Sequence, residues 1–113
     1  MIPIAEADVI SAADKALLAD VKAAIQSVLP DAEVYLFGST ATGKRGPESD
    51  YDLLVLTDET VSKDARRRAE KAQMAVELSR DVILSTLYLS KSEWQWRMAL
   101  PFHDEVERDG VLL

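Results

Sequence analysis

The chain has 113 residues, with 13 Lys and Arg against 20 Asp and Glu, a formal net charge of -7, one His and no Cys. That length suits a single domain with its own core, and the missing Cys exclude disulfides and thiolate metal sites and suit a reducing compartment, read here as the cytoplasm. The acid excess speaks against an extended nucleic-acid footprint, which needs a basic face, and no apolar run approaches the ~20 residues of a membrane-spanning helix.

The N-terminus, Met1-Ile2-Pro3-Ile4-Ala5-Glu6, lacks the basic start of a signal peptide. Over residues 11–29, Leu17, Leu18, Val21, Ile25 and Val28 recur at helical spacing, which predicts an amphipathic helix. Ser11 with Asp14 resembles a capping box, and Pro30 closes the far end. Residues 33–37, Glu-Val-Tyr-Leu-Phe, read as a short strand running directly into Gly38-Ser39. Residues 38–49 are small, polar or turn-forming and predict a loop with room for one helical turn.

A second strand is expected over 51–56 and a second helix over 62–78, with a loose apolar face of Ala65, Ala69, Ala72, Met74, Val76 and Leu78. A third strand, nearly continuous in apolar residues, is expected over 81–88. Ser90 and Glu93 form a capping box that opens a third helix carrying Trp94 and Met98 on one side. After Pro101 a last short helix ends at Gly110. The fold class is therefore α/β, or α+β: a small mixed sheet flanked by helices. No repeat or linker divides the chain, so residues 1–113 read as one domain.

The chemistry concentrates between the first two strands. Asp50 and Asp52 are two apart at the start of a strand, so their carboxylates face the same way. Such a pair repels itself unless a cation sits between the groups, and hard oxygen donors suit Mg²⁺; taken alone, however, the triplet reads more readily as an Asx-turn or a strand-edge charge pair solvated by water. Gly38-Ser39, at the end of the preceding strand, changes that balance. A glycine lets backbone N–H groups approach a phosphate, and the serine hydroxyl can donate to a phosphate oxygen. A carboxylate pair facing a phosphate-cradling turn suits phosphoryl or nucleotidyl transfer.

Gly38-Ser39-Thr40-Ala41-Thr42-Gly43 followed by Ser49-Asp50-Tyr51-Asp52-Leu53 resembles the signature of the DNA polymerase beta-like nucleotidyltransferase superfamily in its minimal form. The resemblance implies that Asp50 and Asp52 hold two Mg²⁺ ions and that a third carboxylate, assigned to Asp81, ligates one of them and activates the attacking hydroxyl; Glu77 is the weaker candidate. It implies that Gly38 and Ser39 hold the phosphates of a nucleoside triphosphate, ATP as the expected substrate. By the same analogy the partner is a HEPN-type toxin whose tyrosine receives AMP. A non-catalytic binding module and an aminoglycoside-type enzyme are the alternatives, although the latter usually carries an extra acceptor domain.

A P-loop is the rival reading of Gly38-x-x-x-x-Gly43-Lys44, but Arg45 stands where Ser or Thr is needed and Gly46-Pro47 stop a helix. Lys44 and Arg45 either steer a triphosphate or form a solvated loop pair. Arg66, Arg67 and Arg68 read as a solvated helix face balanced by Asp64 and Glu70. His103 reads as a surface residue. Trp94 and Trp96 cannot share a helix face, so at least one should be partly exposed, either packing on the sheet edge or anchoring a partner.

Overall fold

The computed structural model describes residues 1–44 and 50–113. Arg45, Gly46, Pro47 and Ser49, which figure in the loop readings above, lie outside the described residues. The elements run β1 (Ile2–Pro3), a 3-10 turn (Ile4–Glu6), α1 (Ala12–Val28), β2 (Glu33–Phe37), α2 (Gly38–Ala41), β3 (Tyr51–Thr57), α3 (Lys63–Arg80), β4 (Leu84–Ser90), α4 (Lys91–Trp96), α5 (Pro101–Asp109) and β5 (Val111–Leu112).

The five strands form one mixed sheet in the order β1-β5-β2-β3-β4. Consecutive β2 and β3 pair antiparallel, whereas β3 and β4 pair parallel across the α3 connection. This is the expected mixed sheet flanked by helices. Alternation along β3 sorts the core into two layers. Leu53 and Val55 face Leu17, Leu18, Val21 and Ile25 of α1 and Ala69 of α3. Leu54 and Leu56 face Trp94 of α4 and Val106 of α5.

Helix α1 carries the predicted cap, the Ser11 hydroxyl accepting from the Asp14 N–H at 3.1 Å. The capping box of α4 is complete: the Ser90 hydroxyl accepts from the Glu93 N–H, and a Glu93 carboxylate oxygen accepts from the Ser90 N–H, both at 3.1 Å. Because Ser90 is also 2% exposed, Ser90→Ala is expected to lower stability by about 1 kcal/mol, read as a shift in the urea midpoint.

Four expectations require correction. The strand expected over 81–88 begins at Leu84, because α3 runs on to Arg80 and Asp81 caps it in the left-handed conformation at φ 54°, which Asp tolerates better than most residues. The third helix stops at Trp96, so Met98 lies beyond it and is exposed. His103 is buried, stacked on the Trp94 ring at 4.4 Å. Strands β1 and β5 are absent from the sequence reading because two residues are too short to show alternation.

Other expectations hold. Trp94 is buried and Trp96 exposed. Arg66 and Arg68 pair with Glu70 and Asp64 at 2.9 and 3.3 Å on the solvated face of α3. Gly110 ends α5 as expected, but not by adopting a left-handed conformation: its φ is -66°, and a Cβ there would come within 2.4 Å of the Val106 carbonyl oxygen.

Candidate active site

The register of the sheet builds the site as a row across three strands. Phe37, the last residue of β2, lies opposite Asp52 of β3, and Asp52 lies opposite Ser85 of β4. Asp50 immediately precedes β3 and shares the face of Asp52 by alternation. This is the face covered by α4 and α5, so the carboxylates stand at the open end of the layer that contains Trp94 and Val106.

An aromatic chain holds the base of the row. Phe37 meets Phe102 edge-on at 5.1 Å, and Phe102 meets Trp94 edge-on at 5.8 Å. Edge-to-face contacts of this kind add about 1 kcal/mol each beyond their burial and fix the end of β2, where the chain turns into Gly38. Gly38 has φ +75°, and a Cβ built there would come within 2.4 Å of Asp52 Oδ2. The backbone of the turn thus lies against the carboxylate with no room for a side chain.

Gly38 opens the four-residue helix α2, the single turn expected inside the loop. Ser39 is half-buried, and its carbonyl accepts from the Lys44 N–H at 2.9 Å and the Thr42 hydroxyl at 3.2 Å. The Thr40 hydroxyl is buried without a hydrogen-bond partner among the described residues. Lys44 is exposed. Its ammonium helps hold the Asp109 carboxyl below its ordinary value, behind the larger effect of the Arg108 hydrogen bond.

Burial, and then the charge of Asp50, push the Asp52 carboxyl above its ordinary value. A carboxyl whose ionisation is made costlier by burial and by a neighbouring carboxylate in this way fits a hard divalent cation, which would relieve the repulsion. Asp50 Oδ2 accepts from the Ser85 hydroxyl at 3.1 Å. Ser85 was not among the residues singled out in the sequence; the signal available was a hydroxyl interrupting the apolar run Val82-Ile83-Leu84-Ser85-Thr86-Leu87.

Asp81 is not brought onto this row. It is exposed, caps α3 and precedes β4 by three positions. Among the described residues no group of three or more His, Asp or Glu is arranged to hold a metal ion. Glu77 accepts from the Leu84 N–H at 3.3 Å and lines a groove with Gln73, Thr86 and Tyr88, away from the carboxylate face. A groove of 540 Å³ lies at the far end of β3 and is lined by Asp31, Asp58 and Glu59, an acidic lining that repels phosphate.

A glycine turn seated against one of two adjoining carboxylates, at the open end of a mixed sheet, defines a protein built for nucleotidyl chemistry. A family model described as a nucleotidyltransferase domain matches residues 18–106, and the chain belongs to that family. It is 31% identical over 97 residues to a Methanocaldococcus jannaschii protein named, as an inference, protein adenylyltransferase MJ0141, spanning 84% of this chain and 93% of that one. It is 40% identical over 55 residues to the Haemophilus influenzae protein named on the same footing protein adenylyltransferase MntA, spanning 49% of this chain and 48% of that one.

Solved structures show the same fold. One is a toxin–antitoxin crystal structure with AMP-PNP, 20% identical with a TM-score of 0.58, covering 83% of this chain and 69% of that one. Another contains a tri-AMPylated Shewanella oneidensis HEPN toxin in complex with its MNT antitoxin, 19% identical with a TM-score of 0.54, covering 87% and 69%.

Proposed function

We propose that this nucleotidyltransferase moves AMP from ATP to a hydroxyl of a HEPN-type toxin and so acts as its antitoxin in the cytoplasm. The observation that carries the reading is the close seating of the Gly38 turn on the Asp52 carboxylate, where a Cβ at Gly38 would come within 2.4 Å of Asp52 Oδ2. The names of the two relatives support adenylyl transfer to protein. The toxin complexes among the structural neighbours support the acceptor class. Among the described residues no helix is long and apolar enough to cross a membrane.

In this reading Asp50 and Asp52 hold Mg²⁺, which when bound supplies Lewis-acid stabilisation of charge on the phosphate oxygens. Gly38 leaves its backbone N–H accessible to a phosphate, and the Ser39 hydroxyl donates to a phosphate oxygen. Lys44, exposed at the end of the turn, meets the outer phosphates. The acceptor oxygen bonds to the α-phosphorus, the bond from that phosphorus to the bridging oxygen breaks, and pyrophosphate leaves. The acceptor proton passes to solvent.

The test is incubation with α-labelled ATP, Mg²⁺ and the HEPN-type protein, comparing wild type with Asp50→Ala. Label is expected on the partner with wild type only. Label transfer that survives the substitution overturns the assignment of Asp50. Stable complex formation with no transfer by wild type replaces the enzyme reading with neutralisation by contact.

A further inference from the structure

Among the described residues, the sheet positions flanking Asp50 and Asp52 carry no charge. On β2 the position opposite Asp52 is Phe37, and on β4 it is Ser85. The next residues along the same face are Leu54 of β3 and Leu87 of β4. The turn that packs on Asp52 is Gly38. The β4 position from which a third carboxylate would face the pair therefore carries a hydroxyl, which donates to Asp50 Oδ2 at 3.1 Å. Asp81 precedes the strand in a left-handed cap, and no group of three acids or imidazoles suited to a metal forms among the described residues.

Two carboxylates neutralise one divalent cation. Among the described residues a second would find no anionic side chain of its own and would share oxygens already engaged, and affinity for hard cations follows the count of charged ligands. We infer that the site holds one resident divalent cation between Asp50 and Asp52, and that Ser85 is the residue that both limits it to one and orients Asp50. This rests on the carboxylate-pair reading given above, and it departs from the two-ion, three-carboxylate arrangement that the family resemblance implies. Ser85 is a positioning residue: it acts on the ion through Asp50, as hydrogen bonds to ligating carboxylates do elsewhere.

The test is a titration of the full chain with Mn²⁺ alone, following free Mn²⁺ by electron paramagnetic resonance, with circular dichroism on every variant. Wild type is expected to take one equivalent. Ser85→Asp, at an exposed position that should accept the change, is expected to take a second equivalent or to bind the first about tenfold more tightly. Ser85→Ala is expected to keep one equivalent at about tenfold weaker affinity, and Ser85→Thr to restore the wild-type curve.

Asp81→Asn is expected to change nothing. Two equivalents in wild type, a Ser85→Asp curve identical to wild type, or loss of an equivalent in Asp81→Asn overturns the inference. Asp52→Asn separates the two levels. If it binds Mn²⁺ as wild type does, or if wild type binds none, the carboxylate-pair reading fails as well. If it loses binding while wild type takes two equivalents, the single-ion inference alone fails.

Discussion

Asp52→Asn is expected to lower adenylyl transfer by about a thousandfold while making the metal-free protein more stable. The first effect follows from removing one of the two carboxylates that hold the cation. Losing about 4 kcal/mol of charge stabilisation in the transition state corresponds to three orders of magnitude in rate. The second follows from the electrostatics of the empty pair. Burial and then the charge of Asp50 raise the proton affinity of Asp52 in the folded chain.

A carboxyl whose folded pKa lies above its unfolded one stabilises the fold at low pH, and that contribution is lost as pH rises through the interval just above the ordinary carboxylate value. The neutral amide has no such loss. In urea denaturation with chelator present, the advantage of Asp52→Asn over wild type should therefore grow as pH is raised from about 3.5 to 6. Adding Mg²⁺ should stabilise wild type and leave the variant unmoved. A variant less stable than wild type at neutral pH under chelation would show that Asp52 is held by favourable contacts rather than by a bound cation.

Gly38→Ala is expected to lower transfer by about a hundredfold and stability by about 1–2 kcal/mol. The stability loss comes from the backbone, because φ +75° is a conformation that alanine adopts only at a cost of that size. The loss of activity comes from the site. The new methyl group would need the space of Asp52 Oδ2, at 2.4 Å, and a carboxylate moved by about 1 Å costs about this much in rate.

Gly110→Ala serves as the control, since its Cβ would meet the Val106 carbonyl at the same distance, a clash with the backbone of α5 rather than with a carboxylate. It should destabilise the fold and leave the transfer rate of the folded fraction unchanged. Equal losses of activity in both variants would assign the Gly38 effect to stability alone.

Much of the architecture was legible because its signals are local. The spacing of Leu17, Val21 and Ile25, the caps at Ser11 and Ser90, and the strand from Glu33 to Phe37 each follow from a few neighbouring residues. Asp50 and Asp52 were also readable, since alternation in a strand is enough to place them together. Asp81 shows where local reading stops. Whether it begins a strand or ends a helix depends on how far α3 extends, and α3 extends to Arg80 with an apolar face so weak that Met74 and Leu78 remain exposed.

Ser85 needed a fact that no local pattern contains, the parallel register that sets it opposite Asp52. His103 was misjudged for a similar reason. A lone histidine near a helix start looks solvated until Trp94, from another helix, stacks on it.

The contrast between the two sides of the site has a consequence for how it assembles. Phe37, Gly38 and Asp52 are joined by one short antiparallel connection, so the turn and the carboxylates come together in the closing of a single small loop. Ser85 arrives only through the crossover carried by α3, a contact of greater sequence separation and a slower kind to form. The nucleotide-facing half can thus be transplanted or varied as one contiguous stretch of chain, whereas the β4 side is inherited with the rest of the sheet.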